Sequence, residues 1–195
     1  MQFHKLLAVV FGLISSAITS SNYSACPNIS PGPATLFQLA ELLPISPLID
    51  PIATENIRNT LALYAFAIDG RNWAAISRVF APNARANYSA AIGILYGPEE
   101  IANYISTSLA SFAGTQHRYG TQYITICSPS SAISVTYFQA SHFFLPDVAP
   151  VVEDGTHTLF ATGRYEDTWI RENNGTWKIG NRNLVFMGPL ILDTA

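Results

Sequence analysis

Apolar residues recur along this chain with two different periods, and the change from one to the other divides it. Ile57, Leu61, Tyr64, Ala65 and Ile68 fall three and four residues apart, which predicts an amphipathic helix. Asp50-Pro51 begins it with a capping side chain and then proline at the first helical position. Gly70 is expected to end it in the left-handed conformation that glycine takes cheaply. Asn72 is expected to cap a second, short helix with Trp73, Ile76, Val79 and Phe80 inward. Pro82 should stop that helix, ahead of an extended piece over residues 84–88. Gly97-Pro98-Glu99-Glu100 opens a third helix, with carboxylates in the first turn where the helix dipole favours them. Its apolar stripe is Ile101, Ile105, Leu109 and Phe112. From residue 119 the pattern becomes that of strands, over residues 119–126, 133–145, 156–171 and 176–187. A Ser-Pro-Ser-Ser turn at 128–131, a loop at 146–153 and an Asn173-Asn174-Gly175 hairpin turn separate them. Helices first and antiparallel strands after is an α+β layout. It predicts a curved antiparallel sheet, cone-shaped, packed on three N-terminal helices around an apolar pocket.

The stretch before the first helix has another character. Ser, Pro and Ala dominate residues 20–51, where Pro27, Pro31, Pro33, Pro44, Pro47 and Pro51 forbid a long helix. A short helix over 35–43 fits, within an arm that lies on the domain. Further upstream, His4 and Lys5 precede an apolar run over residues 6–14, too short to span a bilayer, and then Ser15-Ser16-Ala17. That is the form of a secretory signal, the alternative being an N-terminal anchor or a buried helix. The reading is a signal peptide at 1–20, a Pro/Ser-rich arm at 21–50 and one domain at 51–195.

Composition narrows the function classes. With 195 residues, 49% of them hydrophobic and 12% charged, the chain can bury a sizeable core and is not globally disordered. A net charge of -3 without a Lys/Arg cluster provides no surface for nucleic acid. Once the signal is removed, no segment is long and apolar enough to be a membrane helix. Secretion fits four Asn-x-Ser/Thr glycosylation sequons, at Asn22, Asn28, Asn87 and Asn174. It also fits the two cysteines, Cys26 and Cys127. They can pair in an oxidising compartment and tie the arm to the sheet, or remain two thiols; the even count favours a disulfide. No Cys, His or carboxylate spacing matches a metal site.

Three residues stand out for chemistry. His117 lies in Gly114-Thr115-Gln116-His117-Arg118-Tyr119-Gly120, where the helical pattern gives way to the strand pattern. Histidine titrates nearest neutrality and is the natural general acid or base; taken alone, the stretch fits equally a partly exposed, hydrogen-bonded histidine with no chemical role. Asp69 falls at the C-terminal end of the first helix, where the dipole disfavours a carboxylate. It either assists the turn at Gly70 or is held by a hydrogen bond, a cation or a functional need. Strand alternation turns Tyr88 inward if Asn87 points out, where it is either a core residue or a buried hydroxyl that can polarise a carbonyl.

The run Tyr64-Ala65-Phe66-Ala67-Ile68-Asp69-Gly70-Arg71-Asn72-Trp73, followed by Ala81-Pro82, Asn87-Tyr88 and Thr115-Gln116-His117, resembles the scytalone dehydratases. More broadly, residues 52–187 resemble the SnoaL-like polyketide cyclases of the nuclear-transport-factor (NTF2-like) fold. Gly163-Arg164-Tyr165-Glu166-Asp167-Thr168-Trp169 with Gly175-Thr176-Trp177-Lys178-Ile179 is similar to the last hairpin of those domains. The resemblance implies that His117 is the catalytic acid/base, that Asp69 orients it, and that Tyr88 is one of two tyrosines that set a water against the substrate carbonyl. Ile68 stands where the second tyrosine is found, a departure from the pattern. The family's second histidine has no exact counterpart. His142, two residues away on the same face, either stands in for it or is a satisfied histidine among Phe138, Phe143 and Phe144. His157, Arg164, Phe138 and Trp73 complete the candidate substrate-binding set. The implied activity is a cofactor-independent acid/base enzyme of secondary metabolism acting on a small apolar oxygenated ring compound. The secreted form points to the fungal type, in which dehydration is coupled to cyclisation, including hetero-Diels–Alderases that join a tropolone quinone methide to a terpene. The alternative is a secreted binding module with the same fold and no chemistry. Either way the expected partner is a small molecule, with the protein a homodimer.

Overall fold

The computed structural model describes residues 23, 25–43, 45, 50–88, 92–144 and 158–193. The signal-type segment at 1–20, Asn22, the expected loop at 146–153 and His157 lie outside them. Among the described residues no helix is long and apolar enough to cross a membrane.

Helix α2, Pro51–Asp69, starts as its sequence requires: the Asp50 side chain accepts from the Ala53 N–H, and proline follows. (Helix α1, Leu36–Leu42, belongs to the arm.) Ile57, Leu61, Tyr64 and Ile68 are buried along one stripe. The end of α2 differs from expectation. Gly70 has φ -85°, and the left-handed residue is Arg71, at φ 56°. Glycine is needed at position 70 for space instead, since a Cβ there would lie 2.9 Å from the Phe66 carbonyl oxygen. Asn72 makes no side-chain cap; a 3-10 turn, Trp73–Ala75, runs directly into helix α3, Ile76–Val79. Strand β1, Phe80–Asn87, then begins ahead of Pro82, which sits where the ladder to its neighbour slips between Phe80 and Arg85. Proline is tolerated there because it has no N–H to contribute to the ladder. A short strand β2, Ile94–Tyr96, leads into α4, Gly97–Ser108, with Ile101 and Ile105 buried.

Strand β3, Phe112–Ser128, starts earlier than the alternation indicates, so His117 lies inside it and not at its beginning. It is followed by β4, Ser131–Phe144, β5, Thr158–Arg171, β6, Trp177–Phe186, and β7, Ile191–Asp193. The strand order is β2-β1-β6-β5-β4-β3, with β7 beside the first residues of β5. β1 and β6 run parallel while the other pairs are antiparallel, so the sheet is mixed where an antiparallel one was expected. The reason is connectivity: β1 and β6 are far apart in sequence, so no tight hairpin dictates their direction. Register slips at Tyr119/Gln122 and Thr168/Trp169 bend the strands, and the sheet stays open, with β2 and β3 at its edges.

The inner face of the sheet packs on the helices. Phe138, Tyr165, Trp169, Trp177 and Ile179 join the α2 stripe in the main core, and the Trp169 indole N–H donates to Ser134 Oγ at 2.9 Å. The outer face carries the arm. Thr35 and Gln38 form a capping box that starts α1. Leu39 and Ile29 are buried against Ile133 and Val135 on β4, a contribution of roughly 1.5–3 kcal/mol per side chain. Polar ties run along the arm. Ala34 N–H donates to Glu166 at 2.9 Å, Arg164 to the Ala34 carbonyl at 2.6 Å, Asn183 to the Ile29 carbonyl at 3.1 Å and Arg85 to the Pro31 carbonyl at 2.7 Å. Cys26 and Cys127 form a disulfide, with Cα atoms 5.2 Å apart.

Candidate active site

The turn that closes α2 also locates the site. Arg71, swung into the left-handed conformation, donates from Nη2 to the Phe112 carbonyl at 3.0 Å, which ties the start of β3 to the end of the helix. Asp69, the last residue of α2, thereby faces Thr115 and His117 on β3. One carboxylate oxygen accepts from Thr115 Oγ1 at 2.9 Å and lies 2.7 Å from His117 Nδ1. The other accepts the His117 backbone N–H at 2.9 Å. Burial alone would raise the Asp69 pKa, but the hydrogen bonds from the His117 side chain and backbone, the His117 charge and Thr115 together hold it below its usual value. An ionised carboxylate only accepts, so when the His117 ring is neutral its proton sits on Nδ1 and leaves Nε2 as the basic nitrogen. The histidine side chain is 7% exposed and the aspartate side chain 22%.

His142 stands beside this pair. Its backbone is opposite Thr115, and Ala140 is opposite His117. The two imidazole centroids are 6.0 Å apart and close to perpendicular. His142 Nδ1 is 3.3 Å from the Leu159 carbonyl oxygen, and its ring is 4.9 Å from that of Phe112. Burial, aided by the charge of His117, lowers the His142 pKa from its ordinary value, so this imidazole is neutral at neutral pH.

Further along the same face lies a polar-aromatic cluster. Tyr88 is buried, and its hydroxyl is 2.7 Å from that of Tyr64. Tyr64 precedes Ile68 by one helical turn on the same stripe. Burial pushes both phenols up, and both are protonated at neutral pH. Phe138 stacks on Tyr165 at 4.5 Å, and Tyr64 and Tyr119 meet Tyr165 edge-on at 5.8 and 6.2 Å. The Arg182 guanidinium lies 4.0 Å from the Tyr165 centroid and 4.3 Å from that of Tyr64. Arg182 forms a two-pronged hydrogen bond with Asp167 at 2.7 and 2.8 Å, and neither side chain is exposed at all. Burial pushes Asp167 up against the opposing charge of Arg182, while burial of Arg182 is outweighed by Asp167, which raises the guanidinium further.

The other sequence-derived candidates divide. Phe138 is in the cluster, and Trp73 is half-buried at its margin, with the Arg71 guanidinium 5.7 Å from its ring. Arg164 is a correction. It lies on the outer face, bonded to Glu166 at 2.8 Å and to the arm, because strand alternation places it opposite its neighbour Tyr165. The sequons also differ: Asn28 and Asn174 are exposed, whereas Asn87 is half-buried in β1 between β2 and β6. Asn174 occupies the expected hairpin turn, its Oδ1 accepting from Thr176 N–H at 3.0 Å. Among the described residues, no three of His, Cys, Asp and Glu converge to hold a metal ion. Sequence reasoning missed Thr115, Tyr119, Tyr165, Asp167 and Arg182, and took Tyr64 for core alone. A signal was present in Tyr165 and Asp167, two apart in a strand and therefore on one face, which put a carboxylate among inward aromatics.

Comparison of the sequence with curated proteins finds no match. Among solved structures, the hexachlorocyclohexane dehydrochlorinase LinA type 2 is similar at 14% identity, covering 72% of this chain and 88% of that one, with TM-score 0.61. A protein of Novosphingobium aromaticivorans provisionally named a scytalone dehydratase aligns at 17% identity over 73% of this chain and 92% of its own, with TM-score 0.60. An NTF2-like superfamily protein of Salmonella enterica aligns at 16% over 70% and 94%, with TM-score 0.57. At such identities the likeness is one of fold, and the fold is NTF2-like. The model of the SnoaL-like domain matches residues 52–183, well over half of the sequence, and the chain belongs to that family.

Proposed function

We propose that this protein is an acid/base enzyme that removes water from a small, apolar, oxygenated ring compound and holds the product for cyclisation. The observation that carries the reading is the 2.7 Å approach of His117 Nδ1 to Asp69, whose carboxylate two further hydrogen bonds fix in place. His117 Nε2 takes the proton from the carbon next to a carbonyl. The C–H electrons form the new double bond, the neighbouring C–O bond breaks, and the departing hydroxide regains that proton as water. Asp69 keeps the imidazole in one tautomer and stabilises the imidazolium that forms. Tyr88 acts with Tyr64: two hydroxyls joined by one hydrogen bond retain one free O–H, available to the carbonyl oxygen. Two structural relatives carry the names of elimination enzymes, a dehydratase and a dehydrochlorinase. The aromatic surroundings formed by Phe112, Phe138 and Tyr165 suit a planar, electron-poor product such as a quinone methide and its hetero-Diels–Alder reaction with an alkene. The disulfide suits a secreted enzyme.

The test is turnover by His117→Ala, Asp69→Asn and the double variant, each shown to be folded, on β-hydroxy cyclic ketones with loss of water followed by mass spectrometry. His117→Ala should lose a factor of about a hundred or more. Asp69→Asn should also fall, and the double variant should be no worse than about tenfold below the poorer single one, as for residues acting as a unit. A folded His117→Ala protein with full activity would refute the dyad and leave a pocket that only orients or binds.

A further inference from the structure

We propose that an N-linked glycan on Asn174 lies back against its own protein, in a groove between α2 and the turn that joins β5 to β6. The proposal is independent of the dehydratase reading and rests instead on the secretory form of the N-terminal sequence. The groove has a volume of about 820 Å³. One wall is the outward stripe of α2, where Asn56, Asn59, Leu63 and Phe66 follow one another at helical spacing. From residue 56 to residue 66 that wall is about 15 Å long. The other wall is the turn itself, and Asn174 lines it. The acceptor of a sequon therefore stands in the wall of a cavity, not on a bare loop tip.

The side chains along the groove suit a sugar. Asn174 Oδ1 accepts from the Thr176 N–H at 3.0 Å, which orients the amide and leaves Nδ2, the atom that carries the sugar, outside that bond. Asn56 and Asn59 are exposed, and their side-chain amides have no partner among the described residues. An amide both donates and accepts, as a sugar hydroxyl does, so the two can pair in either sense. Phe66, on the same stripe, is 72% exposed. A single exposed aromatic ring needs no explanation by itself. In line with two free amides it offers a flat apolar surface for the C–H face of a pyranose, with the negative face of the ring toward those hydrogens. The lining charges nearly cancel. Lys178 Nζ is 3.2 Å from Glu172 and donates to the Ser77 carbonyl at 3.1 Å, so Arg78 is the one lining charge without an ion pair among the described residues. A neutral, polyhydroxylated occupant fits that balance better than an anion. Each contact is weak, but a short tether gives the sugar an effective concentration of about millimolar, so weak contacts suffice. A docked glycan would also cover Leu63 and brace the helix that ends at Asp69.

The test uses the full-length protein secreted from a glycosylating eukaryotic host, as wild type, Phe66→Ala, Thr176→Ala and the double variant. Thr176→Ala destroys the sequon but keeps the Asn174 side chain and the backbone N–H that it accepts from. Both substitutions change exposed side chains, so all four proteins should fold. Peptide mass mapping should find Asn174 glycosylated in the wild type and in Phe66→Ala, and bare in the other two. With the glycan present, Phe66→Ala should lower Tm by about 2–4 °C. Without it the same change should leave Tm unchanged or raise it, because alanine is the better helix former at an exposed position. An endoglycosidase that cuts between the first two sugars should trim native Phe66→Ala about fivefold faster than the wild type, since it acts on the undocked glycan. A bare Asn174 in the wild type would overturn the proposal. So would an equal effect of Phe66→Ala with and without the glycan, or equal trimming rates, either of which would mean that the glycan points into solvent.

Discussion

Gly163 on β5 offers a test of the aromatic cluster that needs no substrate. A methyl group there would lie 2.6 Å from the Val185 carbonyl oxygen and 2.7 and 2.8 Å from Cζ and Cε1 of Phe138. Neither neighbour can yield cheaply. Val185 belongs to β6, which pairs with β5 through Gly163 and Phe186, so moving its carbonyl opens the ladder. Phe138 is buried and stacked on Tyr165 at 4.5 Å, so moving its ring breaks the stack on which Arg182 also rests. Overpacking of a tight core costs typically 1–3 kcal/mol, and with backbone on one side and a stacked ring on the other Gly163→Ala belongs at about 3. Gly120→Ala is the control, because nothing lies within 4 Å of a Cβ at that site. It should stay within about 0.5 kcal/mol of wild type. Urea unfolding measures both, and near-ultraviolet circular dichroism reports the tyrosine environment. If Gly163→Ala unfolds within 0.5 kcal/mol of wild type with an unchanged aromatic spectrum, the packing described for Phe138, Tyr165 and Arg182 is wrong.

Two further outcomes follow from the structure. The Cys26–Cys127 bridge closes a span of 101 residues, so Cys26→Ser with Cys127→Ser should lower stability by about 3–5 kcal/mol in urea unfolding, and an unchanged midpoint would contradict it. His142 has a folded pKa below its ordinary 6.5, so the folded state binds fewer protons than the unfolded chain once pH falls under that value. Stability should therefore drop as pH is lowered from about 6.5 through the folded pKa. His142→Gln should flatten that part of a Tm-against-pH curve, and an unaltered slope would refute the assignment.

Helices were legible because their signals are local. Asp50-Pro51, the stripe from Ile57 to Ile68 and the acidic first turn of α4 each act within a few residues. The Asp69–His117 pairing was legible only in part. A carboxylate at the wrong end of a helix dipole signalled that something held it, but that the partners were Thr115 and the His117 backbone depends on β3 starting at Phe112. That start is set by Arg71 across space, and no periodicity shows it. The parallel pairing of β1 and β6 was hidden for the same reason. Arg164 was misassigned because a basic residue near an expected pocket looks like a ligand until strand phase is known. The phase put Tyr165 and Asp167 inside and left Arg164 outside. Tyr64 was hidden by its apolar ring, which served the helix stripe as well as a leucine would.

The arm has a practical consequence for anyone producing this protein. The family region begins at residue 52, yet Arg164, Glu166 and Asn183 on the sheet find partners at Ala34 and Ile29, and Ile133 and Val135 are covered by Ile29 and Leu39. A chain cut at the alignment boundary would present a bare greasy strip beside stranded polar groups. Such a product should be prone to self-association and precipitation, while one that begins ahead of Cys26 keeps its own cover. Where the family match stops and where the packed unit stops are therefore different places in this sequence.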